Sequence, residues 1–200
     1  MNSYLLGTIS SILFLGFLLL IEYITRKNDY PKEFTRRITH VSSGLFAGVM
    51  GIVLEPMVFI IFLVLFLTII ILSYRVKFFS SIHNVKRETY GELFFPLGIL
   101  IAYIISSGST NNYFASVMIL SISDPLAGAV GDISKRKPSY GSITFFASTL
   151  FILLVIFKFE HFVIIIIIAS IVTIVERTSS YGTDNLTIPL ASVLLLKFLL

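Results

Sequence analysis

Long apolar stretches alternate with short polar ones along the whole chain. A helix needs about 20 apolar residues to cross the hydrocarbon core of a bilayer. Eight stretches approach or reach that length, at residues 4–24, 38–54, 56–74, 93–106, 113–133, 143–159, 162–175 and 186–200. The fourth and eighth are short, so we expect tilted or incomplete crossings there. The pattern predicts an all-α, polytopic integral membrane bundle of about seven to eight transmembrane helices.

The composition supports a membrane protein and excludes other classes. Apolar residues make up 56% of the chain and charged residues only 13%, against roughly 25% charged in a soluble domain. A soluble globular protein, a disordered chain and a coiled coil are excluded, and the absence of Cys excludes disulfides and a cysteine nucleophile. No internal repeat or linker divides the chain, so we expect residues 1–200 to form a single membrane domain.

Positive charge is distributed unevenly between the predicted loops. Of the 15 Lys and Arg residues, only Lys158 and Lys197 fall outside the loops that follow odd-numbered spans. The positive-inside rule then places those loops in the cytoplasm and the N-terminus outside. Because the basic residues flank spans, we expect a membrane partner and no nucleic acid. Within one loop, residues 76–90 have near-helical apolar spacing, which favours an interfacial helix over a plain loop.

Five polar clusters lie at the predicted cytoplasmic ends of the spans, where charged residues are energetically costly and usually mark function. Taken singly, each cluster also has an ordinary explanation as a basic anchor, a helix cap or a packing face. Asp124 is the strongest candidate, because it lies within an apolar run and shares a helical face with Gly128 and with Gly131 or Asp132. The clusters are residues 36–44, 87–98, 123–132 with the basic run 135–137, 140–144, and 176–190.

Acids, cations and glycines on one membrane face indicate a site for a metal and a polyphosphate beside the lipid. Oxygen ligands suit Mg²⁺, and the helix start at residues 140–144 presents backbone N–H groups that favour phosphate. An ion transporter would also carry charges near membrane depth, but it usually shows inverted repeats, which this sequence lacks. The chain has no GxxxxGK[ST] motif, so it is not a P-loop enzyme.

These clusters, in order and spacing, resemble the polyprenol kinase family, which includes dolichol, phytol and farnesol kinases and a CTP-dependent diacylglycerol kinase. The resemblance covers about residues 36–190. The motifs that carry it are Arg36-Arg37-x-x-His40, Gly91-Glu92-x-x-Phe95-Pro96-Leu97-Gly98, Asp124-Pro125-x-Ala127-x-x-x-Gly131, Gly141-Ser142 and Asp184-Asn185-Leu186-Thr187-Ile188-Pro189-Leu190.

The resemblance implies phosphoryl transfer from a nucleoside triphosphate, typically CTP, to a lipid alcohol, with Mg²⁺ as the expected cofactor. Asp124 is the first candidate for the group that accepts the alcohol proton, and His40 is the second. The candidate metal ligands are Asp124, Glu176, Asp184 and Glu92. The candidate nucleotide- or phosphate-binding residues are Arg36, Arg37, Lys135, Lys137, Gly128, Gly131, Ser142, Asn185 and Thr187.

Three alternatives remain open from the sequence. A CDP-lipid synthase would release pyrophosphate from CTP and require a phosphorylated lipid, whereas a kinase releases CDP and requires a free alcohol. A CTP-dependent diacylglycerol kinase differs only in the alcohol, and a small-ion transporter is the alternative from another class. We expect an integral protein of the cell membrane, or of an endoplasmic-reticulum-type membrane in a eukaryote, with its active site facing the cytoplasm.

Overall fold

The computed structural model describes residues 2–76, 90–134 and 139–200, and these are helical nearly throughout. No strand occurs in these ranges. The helices are α1 (Ser3–Lys27), α2 (Lys32–Val53), α3 (Pro56–Val76), α4 (Gly91–Ser106), α5 (Thr110–Met118), a π turn (Ile119–Ser123), α6 (Asp124–Ile133), α7 (Ser139–Phe157), α8 (Phe162–Thr178) and α9 (Asp184–Leu199).

The predicted bundle is confirmed: every predicted span falls on a helix, and the fifth covers most of the continuous segment α5–π turn–α6. By length and composition, three helical segments of the described chain are long and apolar enough to cross a membrane: Ser3–Lys27, Thr110–Ile133 and Ser139–Phe157. Pro56–Leu72 and Gly91–Ser106 are shorter apolar helices. The chain is a helical membrane protein. Most of the predicted interfacial helix at 76–90 lies outside the described residues.

The segment α5–π turn–α6 runs through the middle of the bundle. Val117, Ile119 and Leu120 are completely buried within it, and α2, α4, α7 and α9 all pack against it. By contrast, the close contacts of α1 within the described ranges are with α2 and α3, and it exposes large apolar side chains such as Ile12 and Leu13. Exposed apolar surface of this kind is what a lipid-facing helix requires. The central segment therefore places Asp124 within the bundle.

Helices α4 and α9 pack closely along their whole length. A Cβ atom at Gly98 would overlap the backbone of Asn185 and lie 2.9 Å from Pro189 Cγ, so only glycine allows this approach. At one end of the pair, Asn185 Nδ2 donates to the Gly91 carbonyl at 2.9 Å. At the other end, Lys197 Nζ donates to the Ile105 carbonyl at 3.0 Å. These contacts fix the polar start of α9 beside the start of α4.

Candidate active site

The π turn at Ile119–Ser123 changes the hydrogen bonding of the central helix just before Asp124. In a π turn each carbonyl accepts from the N–H five residues later, and for Leu120 that residue is Pro125, which has no N–H. The Leu120 carbonyl must therefore find another donor, because an unpaired carbonyl in the hydrocarbon region costs several kcal/mol. The sequence signal for this feature is Pro125 directly after an acid within an apolar span.

His40 of α2 supplies that donor. Its Nε2 lies 3.2 Å from the Leu120 carbonyl oxygen and 4.0 Å from Asp124 Oδ2. The ring packs on Phe95 of α4 with 4.4 Å between ring centroids. Three segments thus meet at His40, and the two candidate catalytic residues, His40 and Asp124, lie next to each other.

Arg37 reaches along the face of α6 that begins at Asp124. Its guanidinium forms an ion pair with Asp132 and lies over Gly128, where a Cβ atom would be 3.5 Å from Arg37 Nη2. The predicted face of Asp124, Gly128 and Asp132 is confirmed, and α2 covers it with Arg37 and His40. Sequence reasoning missed Asp132 as the partner of Arg37.

Three carboxylates form the negative part of the site. The charge of Asp124 interacts with those of Asp184 and Glu176, and also with the positive charges of Arg36 and Arg37. Asp124 begins α6, Asp184 begins α9 and Glu176 lies in the last turn of α8, so three separate helices contribute one acid each. Three of the four predicted metal ligands therefore lie within electrostatic range of Asp124.

Glu176 and Asp184 lie just beyond the ends of predicted spans 162–175 and 186–200. Burial raises the pKa of Asp184, while a backbone hydrogen bond at Asn185 and the charge of Arg36 partly offset the rise. Burial raises the pKa of Glu176 first, the nearby Asp184 carboxylate raises it further, and Arg177 opposes both effects. Both acids are therefore held in a setting that disfavours their negative charge until a cation compensates it.

The donor set of this cluster fits Mg²⁺. Carboxylate oxygens are its preferred protein ligands, and Glu176 Oε2 is buried with no hydrogen-bond partner in the described part of the chain. Within the same described part, no three acids or histidines are close enough to bind one ion together. Mg²⁺ commonly binds one or two protein carboxylates and completes its coordination shell with phosphate oxygens and water. Asp184 and Glu176 are enough for such a site.

Asn185 and Thr187 are both engaged in contacts within the protein. Besides the bond to Gly91, the backbone N–H of Asn185 donates to Asp184 Oδ1 at 2.9 Å. The Asn185 Oδ1 atom is buried and has no hydrogen-bond partner in the described ranges. Thr187 Oγ1 is 2.7 Å from Ser179 Oγ. Both side chains hold the start of α9 in place, and Asn185 retains an open acceptor.

The start of α7 packs against α6 beside the acid cluster. A Cβ atom at Gly141 would lie 3.2 Å from the Ala127 carbonyl and 3.8 Å from the Gly131 Cα. Ser142 follows in the first turn of α7. Farther along α7, Thr149 Oγ1 donates to Ser123 Oγ at 3.2 Å. Gly131 and Ser142 thus lie at one crossing of α6 and α7, near the predicted phosphate site.

The remaining candidates are placed as follows. Arg36 is bonded to Glu33 at 3.0 Å, and its charge still acts on Asp124 and Asp184. Glu92 lies in the first turn of α4 with its Oε2 buried. Lys135 and Lys137 lie outside the described residues, and their predicted role in phosphate binding stays a prediction.

Two known proteins are similar to this chain over most of its length. A phytol kinase of Synechocystis sp. is 30% identical over 192 residues, which cover 87% of this chain and 82% of the relative. An uncharacterized protein of Rickettsia prowazekii is 34% identical over 193 residues, covering 83% of this chain and 94% of that protein. No protein-family model matches the chain, and no solved structure matches it significantly.

The aligned region is long enough to include the helices that build the site. The resemblance predicted from the motifs and the similarity to a phytol kinase over most of both chains lead to the same assignment. This helical membrane protein belongs to the polyprenol and phytol kinase-like family of lipid-alcohol kinases.

Proposed function

We propose that this protein transfers the terminal phosphate of CTP to an isoprenoid alcohol such as phytol, geranylgeraniol or a longer polyprenol. The observation that carries the proposal is that Asp124 interacts electrostatically with two acids, Asp184 and Glu176, and with two cations, Arg36 and Arg37, within a bundle of apolar helices. Acids and arginines together suit a metal-bound polyphosphate, and the apolar surface beside them suits the tail of a lipid. The similarity to a phytol kinase supports an isoprenoid acceptor.

The proposed chemistry needs little beyond positioning and charge neutralisation, which supply most of the rate in phosphoryl transfer. Arg37 and Arg36 bind the phosphates. Asp184 and Glu176 would hold Mg²⁺, which would neutralise the developing charge. The alcohol oxygen bonds to the terminal phosphorus while the bond from that phosphorus to the bridging oxygen breaks, releasing CDP. Asp124 accepts the proton of the alcohol.

The decisive test is an assay of the purified protein in detergent or nanodiscs with CTP or ATP labelled in the terminal phosphate. The acceptors are phytol, geranylgeraniol, farnesol, a polyprenol and diacylglycerol. We expect labelled isoprenyl phosphate and CDP, with CTP giving the higher turnover. Release of pyrophosphate with a phosphorylated lipid would instead identify a CDP-lipid synthase, and labelling of diacylglycerol alone would exclude an isoprenoid acceptor.

We also propose that the site faces the cytoplasm, because the sequence predicts cytoplasmic basic loops at the span ends that carry the site residues. The chain contains no Cys, so single cysteines report the topology directly. We expect Glu160→Cys to react with an impermeant thiol reagent in intact cells, and Lys32→Cys to react only after the cells are opened. Reaction of Lys32→Cys from outside would refute the proposed orientation.

A further inference from the structure

The hydrogen bond of His40 defines which chemical role its imidazole can take. The Leu120 carbonyl only accepts hydrogen bonds, so the Nε2 atom that lies 3.2 Å from it must carry the proton. The same Nε2 is the ring atom recorded 4.0 Å from Asp124 Oδ2, which is beyond hydrogen-bond distance. The nitrogen that faces Asp124 is therefore a donor already in use by the backbone.

The surroundings of His40 hold the π turn against α2. One helical turn farther along α2, a Cβ atom at Gly44 would overlap the side chain of Ser121, so the two segments are in direct contact there. On its other side the ring of His40 packs against Phe95. His40 thus bonds the π turn at Leu120 while Gly44 lets α2 approach at Ser121.

The π turn also sets the orientation of Asp124. Asp124 is the first residue of α6 and follows the turn directly. If the Leu120 carbonyl lost its donor, a return to the α-helical register would restore a hydrogen bond to it, because in that register it accepts from the N–H of Asp124. That change would rotate Asp124 relative to α2. Because His40 already donates to the Leu120 carbonyl, this change of register would bring no additional hydrogen bond.

We propose that His40 is a positioning residue of the phosphoryl-transfer reaction: by donating from Nε2 to the Leu120 carbonyl it keeps the π turn open and holds Asp124 toward the substrate. This inference rests on the proposed kinase function. It replaces the expectation that His40 serves as a second proton acceptor, and it leaves Asp124 as the acid that touches the substrate.

The test compares three substitutions of His40 by turnover and by KM for CTP. Glutamine carries an amide nitrogen near the position of Nε2, whereas the shorter asparagine and the apolar phenylalanine cannot donate there. We expect His40→Gln to retain kcat within about threefold, and His40→Asn and His40→Phe to lose about 10- to 100-fold in kcat, the range for lost supporting hydrogen bonds. KM for CTP should stay unchanged in all three.

Two results would overturn the proposal. If His40→Gln is as slow as His40→Phe, the imidazole itself acts as a base; if His40→Asn and His40→Phe both keep full turnover, the hydrogen bond has no role. Should the phenylalanine variant fail to fold, the comparison of glutamine with asparagine still decides, because these two side chains differ only in length.

A second measurement is independent of activity. The chain has three histidines, so ¹⁵N-histidine NMR of a His83→Gln/His161→Gln protein in detergent reports on His40 alone. We expect a protonated, hydrogen-bonded Nε2; an unprotonated Nε2 would contradict the proposal. If the native protein shows no kinase activity with any acceptor, the proposed function fails, while the NMR result still tests the hydrogen bond.

Discussion

Arg37 and Asp132, 95 positions apart in the chain, form an ion pair that joins α2 to the end of α6. The Asp132 side chain is 64% exposed and that of Arg37 is 22% exposed. Ion pairs with an exposed partner contribute about 0–1 kcal/mol, so this pair contributes little to the fold. If Arg37 binds phosphate as proposed, the phosphate, which carries more charge than a carboxylate, would displace Asp132 from the guanidinium.

This competition predicts that only the loss of Arg37 raises KM for CTP. Arg37→Gln should raise KM for CTP about tenfold or more, since a hydrogen bond to a charged group is worth about 1.5–3 kcal/mol. Asp132→Asn should leave KM unchanged or lower it, because it removes the competing anion. Steady-state kinetics with a fixed alcohol measures both. An unchanged KM in Arg37→Gln would exclude Arg37 from the phosphate site.

Asp124→Asn should abolish most of the activity while leaving the protein folded. The substitution keeps the volume of the side chain and removes its charge, and loss of a general base lowers rates by about 10²–10⁴. Turnover per folded molecule and the melting temperature in detergent should be measured together.

Asp29→Asn is the matched control for this substitution. Asp29 is exposed between α1 and α2 and has a positive φ of 51°, which asparagine also adopts readily. It should keep normal turnover. A folded Asp124→Asn protein with the turnover of this control would show that Asp124 is not at the centre of the reaction.

Gly98→Ala should destabilise the protein far more than Gly16→Ala. A methyl group at Gly98 would overlap the backbone of Asn185, and backbone cannot move aside as a side chain can. At Gly16 nothing lies within 4 Å of the added carbon, and alanine favours helix more than glycine does by about 1 kcal/mol. Melting in detergent should fall for Gly98→Ala and stay or rise for Gly16→Ala; equal melting would contradict the close packing of α4 and α9.

The acids Asp184 and Glu176 predict that stability without Mg²⁺ falls as the pH rises. Their pKa values are raised in the folded protein above ordinary values of 3.8 and 4.5, so above about pH 4 the folded state binds more protons than the unfolded one. The free energy of unfolding then decreases as the pH rises through the raised values. We expect a higher melting temperature at pH 5 than at pH 8.

Two comparisons test the origin of this pH dependence. Asp184→Asn should flatten it, whereas Asp29→Asn should keep it. Added Mg²⁺ should raise the melting temperature at pH 8, because a ligand that binds only the folded state stabilises it. A pH dependence that persists unchanged in Asp184→Asn would remove this acid as its source.

The spans could be predicted from the sequence because lipid requires continuous apolar stretches, and these are visible without knowledge of contacts. Asp124 could be predicted for a related reason, because an acid is conspicuous inside an apolar run. The partner of Arg37 was missed, since a pairing across 95 positions depends on how α2 and α6 pack. Similarly, Pro125 indicated a loosened helix, but the π turn and its bond to His40 depend on the neighbouring helix.

The π turn at Ile119–Ser123 also matters for comparing relatives. It accommodates one residue more per turn than an α-helix, and each helical residue turns the chain by about 100°. Deleting a single residue from this segment would leave the hydropathy profile almost unchanged, yet it would rotate Asp124 and Gly128 away from Arg37. In an alignment, a one-residue gap between Ile119 and Ser123 would therefore separate sequences that keep this site from those that have lost it.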